Sequence, residues 1–66
     1  MKDKLGQELK VKDLVLCVDP IEGFLLKDKV YEVKDLRESD GRVVLIPDER
    51  GMEGHYKSSR FERVKP

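Results

Sequence analysis

Along the chain, short runs of hydrophobic residues alternate with clusters of turn-forming residues. The clearest run, residues 14–18, is continuously apolar and stops at Asp19 and Pro20, because proline cannot donate to a sheet and keeps the preceding residue extended. Apart from a brief turn near the N-terminus, no stretch repeats apolar residues with the period of a helix. The pattern therefore predicts five short strands, at residues 14–18, 30–36, 42–46, 53–56 and 62–65.

Two connections between these strands carry clear turn signals. Asp40-Gly41 supplies the positive φ that a tight hairpin needs between the second and third strands. Residues 58–61, Ser-Ser-Arg-Phe, predict one turn of 3₁₀ helix before the last strand, because this connector is short by nature. We expect a serine hydroxyl to cap the turn and Phe61 to plug the open end of the fold.

The connection between the first two strands, residues 19–29, is long and unusually apolar for a loop. It contains Phe24, Leu25 and Leu26 in a chain that has only four aromatic residues in all. We expect these three side chains to fold back as a lid on the core.

The element pattern indicates an all-β fold. Five short strands with a turn about every 8–12 residues are typical of a small barrel or sandwich, and closing the sheet removes exposed edges. We expect residues 1–10 to form a partly ordered N-terminal extension and residues 11–66 to form one five-stranded barrel domain. In the second strand, Tyr31 and Val33 share one face. The principal core candidates are Leu14, Leu16, Val18, Val30, Val33, Val43, Leu45 and Phe61.

The single cysteine and the N-terminal sequence bear on the compartment. Cys17 lies in the apolar run of the first strand, so we interpret it as a small buried hydrophobe, and the lack of a disulfide framework fits a reducing compartment. Residues 1–10 lack the apolar core of a signal peptide, and no run approaches membrane-spanning length. We therefore predict a cytoplasmic protein that does not contact membranes.

Charge is abundant, balanced and unevenly distributed. Charged residues make up 42% of the chain, with 14 basic and 14 acidic side chains. Residues 1–12 carry four basic and two acidic side chains, residues 13–54 carry six and 11, and residues 55–66 carry four and one. The chain lacks the overall excess of Lys and Arg from which duplex binding draws its affinity. Basic ends and an acidic middle would instead orient a protein partner.

Several of these segments together resemble a known family. The matching positions are Val15 and Cys17, then Lys29, Tyr31 and Val33, then Tyr56, Arg60 and Phe61. Over roughly residues 11–65 the chain resembles the small SH3-like β-barrel proteins encoded by bacteriophages and prophages. The resemblance implies an SH3-like barrel that binds peptides or nucleic acids with loops at one end, and a host or phage protein as partner. Because the chain has no Trp, proline-rich peptides are not the expected ligand.

The sequence contains few of the residue combinations that enzymes use for catalysis. His55 is the only imidazole, and Glu53 and Lys57 lie on its own side of a strand, where they would only orient it. Glu53 and His55 with Asp48 and Glu49 form the only cluster of metal-ligating residue types, and it matches no zinc or calcium spacing. We therefore predict no catalytic residue, no metal and no cofactor.

The C-terminal segment suggests an alternative function, the binding of single-stranded nucleic acid. Cations interleaved with aromatic side chains are a surface on which single strands stack. Acidic loops at residues 19–22 and 48–53 would oppose a phosphate backbone. The residues concerned are Tyr56, Lys57, Arg60, Phe61, Arg63 and Lys65, joined across the sheet by Arg42.

Binding of a protein partner is the function that the sequence favours. The first loop has more apolar residues than a loop needs, counting Ile21, and those that stay outside would form a patch of the kind that marks an interface. The same patch would alternatively join two copies in a homodimer. The predicted binding surface consists of Phe24, Leu25, Leu26, Tyr56, Arg60 and Arg63.

Overall fold

The computed structural model of the chain describes residues 1–45 and 48–64. All five predicted strands are present, with ends that differ from the prediction by one or two residues. One 3₁₀ turn, Ser58–Arg60, precedes the last strand, as predicted. The strands are β1 Leu14–Cys17, β2 Val30–Arg37, β3 Arg42–Leu45, β4 Gly54–Lys57 and β5 Phe61–Arg63. The predicted strand ends at residues 46 and 65 lie outside the described residues.

The strands form one antiparallel sheet in the order β4-β3-β2-β1-β5. β1 pairs with both β2 and β5, and β3 pairs with both β2 and β4. The two end strands, β4 and β5, each pair on one side only, so the sheet is not closed. The predicted all-β class and the 3₁₀ turn are confirmed, whereas the predicted closed barrel is not.

A bulge in β2 changes which residues face the core. The register against β3 shifts between Val33 and Asp35. Before the shift the odd-numbered Tyr31 and Val33 are buried, and after it the even-numbered Leu36 packs against the core. Without the bulge, strict alternation would have turned Leu36 outward.

The predicted core is correct for residues of β2, β3 and β5 and wrong for the inward face of β1 and for Val30. Val33, Val43 and Phe61 are fully buried, as predicted. Leu14 and Val30 are instead 48% and 45% exposed, and Leu16 and Val18 are only partly buried, because β1 turns Val15 and Cys17 inward. The side chain of Leu45 lies outside the described part of the chain. The core cluster is Leu9, Val15, Cys17, Leu25, Tyr31, Val33, Val43, Tyr56 and Phe61.

The first ten residues pack along the outer edge of β5. The backbone amide of Lys4 donates to Phe61 O at 2.9 Å, and the amide of Arg63 donates to Asp3 Oδ2 at 2.7 Å. Leu9 enters the core with 2% of its surface exposed. The edge of β5 is therefore covered by hydrogen bonds from the N-terminal segment.

The long first loop folds back only in part. Leu25 is 1% exposed and belongs to the core, whereas Phe24 and Leu26 are 38% and 52% exposed. The amides of Phe24 and Leu25 both donate to Ile21 O, at 2.9 and 2.8 Å, which closes the loop into a tight turn. The expected lid therefore consists of Leu25, while Phe24 and Leu26 stay at the surface and Ile21 is partly buried against the core.

The 3₁₀ turn joins β4 directly to β5. Lys57 stands at its N-cap position without a side-chain hydrogen bond, so the predicted serine cap is wrong. The turn is held instead by backbone bonds, since the amide of Phe61 donates to Ser58 O and that of Ser58 donates to Gly41 O at 3.2 Å. Phe61 follows with its ring in the core, edge-on to Tyr56 with 6.5 Å between the ring centroids.

Candidate binding groove

A groove of about 360 Å³ lies between the first loop, β4 and the 3₁₀ turn. Two apolar loop residues form one wall, and basic residues from β3, β4 and the turn form most of the other. A second depression, of about 210 Å³, contains Glu32 and no aromatic residue. The larger groove is lined by Ile21, Phe24, Arg42, His55, Tyr56, Lys57 and Arg60.

Strand register places three cations in one row across the sheet. Arg37 on β2 pairs with Arg42 on β3, and Arg42 pairs with Lys57 on β4. Directly opposite residues project from the same face of a sheet, so the three positive charges are neighbours. Like charges in such a row destabilise the sheet unless anions lie among them.

Of the cations in this row and in the neighbouring turn, only some have an anionic partner. Arg37 lies 3.5 Å from Asp40 Oδ2 and its Nη1 lies 2.9 Å from His55 Nδ1, while Arg60 lies 3.2 Å from Asp19 Oδ2. Within the described ranges, Arg42 and Lys57 form no ion pair. The row therefore keeps uncompensated positive charge where it meets the groove.

Phe24 is held at the rim of the groove. The guanidinium carbon of Arg50 lies 4.7 Å from the centroid of the Phe24 ring, a cation–π distance, and the amide of Glu49 donates to Phe24 O at 3.0 Å. With 38% of its surface exposed, the ring still presents apolar area to a ligand.

Tyr56 is anchored from inside by a buried carboxylate. Its hydroxyl donates to Asp48 Oδ2 at 2.7 Å, and Arg50 donates to the same oxygen at 2.7 and 3.0 Å. Burial alone would raise the pKa of Asp48, but the hydrogen bonds from Arg50, Tyr56 and backbone amides outweigh it and lower the pKa to about 2. Burial and the Asp48 carboxylate raise the pKa of Tyr56 to about 12.

Gly54 makes this anchor sterically feasible. A β-carbon at this position would overlap both the Asp48 carboxylate and the Tyr56 ring. The first residue of β4 must therefore be glycine for the strand to approach the 48–52 turn this closely. The anchor fixes β4 from its core side.

The structure brings three of the six predicted binding residues together. Phe24, Tyr56 and Arg60 line the groove, although Tyr56 is only 6% exposed. Leu25 is in the core, Leu26 is exposed outside the groove lining, and Arg63 is on β5.

Sequence reasoning did not assign Arg42 and Lys57 to the predicted protein-binding surface. Both belong to the nucleic-acid alternative, in which Lys57 stands with the cations beside Tyr56 and Phe61 and Arg42 joins them across the sheet. The register adds Arg37 to these two cations, and the sequence carries no local signal for that pairing. Ile21, another lining residue, was visible in the sequence as part of the apolar loop.

His55 and Cys17 have different surroundings in the structure. His55 Nδ1 faces Arg37, and its Nε2 lies 3.5 Å from Glu53 Oε1. Cys17 is fully buried, and burial raises the pKa of its thiol, which keeps it neutral. In the part of the chain that the structure describes, no group of three or more His, Cys, Asp or Glu side chains is placed to hold a metal ion.

Comparison of the chain with protein-family models, with curated proteins and with solved structures finds no match in any of the three. Over residues 1–45 and 48–64, no helix has the length and apolar character needed to cross a membrane.

Proposed function

We propose that the chain is a non-catalytic binding module that docks a protein partner in the groove beside β4. The observation that carries the proposal is the convergence, on one concave site, of apolar surface from exposed Phe24 and partly buried Ile21 with Arg42 and Lys57, which form no ion pair among the described residues. A concave surface with an apolar wall and charged groups suits a protein segment, because the apolar part supplies affinity and the charges supply orientation.

The finer identity that we propose is an SH3-like barrel acting as a small phage accessory protein that modulates a host or phage protein. Three features support the barrel: a long first loop, a tight second connection and a 3₁₀ turn immediately before β5. The phage origin and the modulating role are supported only by the sequence resemblance.

The aromatic residues favour a protein ligand over a single-stranded nucleic acid. Base stacking needs exposed ring faces. Tyr31, Tyr56 and Phe61 are at most 6% exposed, and the remaining aromatic residue, Phe24, has Arg50 over its ring. The groove therefore offers no series of platforms on which successive bases would stack.

Affinity capture with matched variants tests the proposal. Wild-type protein and the variants Phe24→Asp and Leu5→Asp are immobilised and exposed to a bacterial lysate with and without phage infection. Leu5 is 64% exposed in the N-terminal segment, so its substitution introduces the same charge at an exposed apolar position outside the groove. Leu25→Asp is unsuitable, because it would place a carboxylate in the core.

The expected result is a protein retained by wild type and by Leu5→Asp and lost by Phe24→Asp. Far-ultraviolet circular dichroism confirms that each variant is folded. Retention of the same proteins by all three would refute the groove as a docking site. Titration with a labelled oligonucleotide at low salt tests the alternative, since tight and strongly salt-dependent binding there would favour nucleic acid.

A further inference from the structure

We propose that the groove takes an extended acidic segment of the partner, which adds to the sheet as a sixth strand along the outer edge of β4. This inference rests on the proposed function and specifies the ligand of the same site. It follows from three observations: the direction of the β4 backbone groups, the course of the groove and the placement of charge.

The hydrogen-bond pattern identifies which β4 groups point away from the sheet. The amide of Ser58 donates to Gly41 O, one step beyond the pair formed by Arg42 and Lys57. Hydrogen-bonded and non-hydrogen-bonded pairs alternate along an antiparallel ladder, so Lys57 and His55 both belong to non-hydrogen-bonded pairs. Their backbone amides therefore point to the outer edge of β4, where they bond to no backbone group of the described residues.

The course of the groove follows this edge. It is lined by three consecutive residues of β4, His55, Tyr56 and Lys57. Successive side chains of a strand project to opposite faces, so a groove bounded by all three passes alongside the strand rather than over one face. A ligand in the groove is then within reach of the outward amides, as in known cases of strand addition to a sheet edge.

The side chains on either side of this edge specify the ligand sequence. Lys57 and Arg42 lie on one face of the sheet, whereas Tyr56 projects to the other, toward the apolar loop. An added strand alternates in the same way, so its carboxylates would meet Lys57 and Arg42 while its apolar side chains would meet Phe24 and Ile21. The ligand class is therefore a peptide in which acidic and apolar residues alternate.

Charge argues against a second copy of the chain as the occupant. Pairing β4 with β4 of another molecule would bring two rows containing Arg42 and Lys57 together. Like charges opposite each other across strands are destabilising. An acidic strand from a different protein would instead neutralise the positive charge of Arg42 and Lys57.

The test uses a capped synthetic peptide of alternating Glu and Val and the ¹⁵N-labelled protein. Binding is measured by titration and located by changes in amide chemical shifts. Two matched peptides serve as controls: one has Lys in place of Glu, and one is N-methylated at alternate residues, which removes backbone donors but keeps side chains and charge. Lys57→Glu is compared with Lys27→Glu, an exposed lysine outside the groove.

We expect the largest shifts at the amides of His55 and Lys57. N-methylation on the pairing side and Lys57→Glu are each expected to weaken binding by about tenfold or more, since each removes hydrogen bonds or charge contacts at the edge. Lys27→Glu and wild type are expected to bind the peptide with affinities within about twofold of each other, because Lys27 does not line the groove and salt screens exposed charges.

Three results would overturn the inference: shifts confined to another part of the molecule, equal binding of the N-methylated peptide, or tighter binding of the Lys peptide. An oligonucleotide that shifts the same amides and binds more tightly would also overturn it. If a Phe24-dependent partner is captured but the acidic peptide fails, the inference is wrong and the proposed function stands. If neither binds at the groove, both are wrong.

Discussion

The two edge strands of the sheet, β5 and β4, differ in whether their outward backbone groups are hydrogen-bonded. Along β5, the outward groups Phe61 O and the Arg63 amide are both bonded to the N-terminal segment. Along β4, the outward amides of His55 and Lys57 meet no backbone partner among the described residues, and a groove runs beside them. One edge is closed by the chain itself, and the other is left available.

This difference separates stability from function in a very small domain. A chain of this size buries a modest fraction of its surface, so covering one edge with ten further residues adds core as well as hydrogen bonds. Leu9 and Asp3, both buried, are the residues that make the cover stable. Substitutions on the covered edge should therefore affect folding, and substitutions on the open edge should affect binding.

The largest effect is expected from Asp3→Ala, which uncovers β5. The Asp3 carboxylate accepts bonds from the amides of Leu5, Gln7 and Arg63 at 2.9, 2.8 and 2.7 Å. Its burial would raise its pKa, but these bonds lower the pKa below the ordinary value. Loss of several buried charge-assisted bonds should lower the free energy of unfolding by about 3 kcal/mol, measured by chemical denaturation.

Asp40→Ala is the matched control for Asp3→Ala. The side chain of Asp40 is exposed and, among the described residues, its one polar partner is Arg37 in a surface ion pair, so its removal should cost less than about 1 kcal/mol. Equal effects of the two substitutions would mean that the N-terminal segment does not stabilise the edge of β5.

A smaller effect, dependent on pH, is expected from Tyr56→Phe. The substitution removes the hydroxyl that donates to Asp48 and should lower the free energy of unfolding by about 2 kcal/mol at neutral pH. The folded-state pKa of Asp48, about 2, lies below its ordinary value, so the stabilisation that it provides is complete above about pH 4 and is lost as the pH falls toward 2. The difference between wild type and variant should therefore shrink over that interval.

Thermal unfolding of both proteins between pH 7 and pH 2 measures this dependence. Tyr31→Phe provides the comparison, because its hydroxyl donates to Glu49, a carboxylate outside the β4 anchor. A difference between wild type and Tyr56→Phe that stays constant down to pH 2 would show that the charged form of Asp48 does not hold β4.

The smallest effect, and one of opposite sign, is expected from Lys57→Glu on the open edge. Replacing one cation in the Arg37, Arg42 and Lys57 row converts a repulsive neighbour into an attractive one. The free energy of unfolding should rise by about 0.5 kcal/mol while binding of the acidic peptide weakens by about tenfold or more. A loss of stability comparable to that of Asp3→Ala would remove the distinction between the two edges.

The sequence was informative where local chemistry decides structure. Asp40-Gly41 and the Ser-Ser-Arg-Phe segment located a hairpin and the 3₁₀ turn, because turn geometry depends on the residues within the turn. The continuous apolar run of β1 located the strand but not its inward face, because both faces are apolar. The prediction therefore puts Leu14 in the core, whereas the structure buries Val15 there.

The candidate groove depended on contacts that no local pattern specifies. The row of cations follows from the register of three strands and from the bulge in β2. The cover on β5 depends on a bond between Asp3 and Arg63, which are 60 positions apart. Part of the groove could be recognised in advance, since Phe24 in the apolar loop and Tyr56 and Arg60 in the C-terminal segment are predicted binding residues that line it.

Amide hydrogen exchange of the free protein, followed residue by residue by NMR, tests the contrast between the edges most directly. The account predicts rapid exchange at the amides of His55 and Lys57 and slow exchange at those of Tyr56 and Arg63, with His55 and Lys57 becoming protected when the acidic peptide is added. Protection of His55 and Lys57 equal to that of Arg63 in the absence of any ligand would contradict it, because the edge of β4 would then already be occupied.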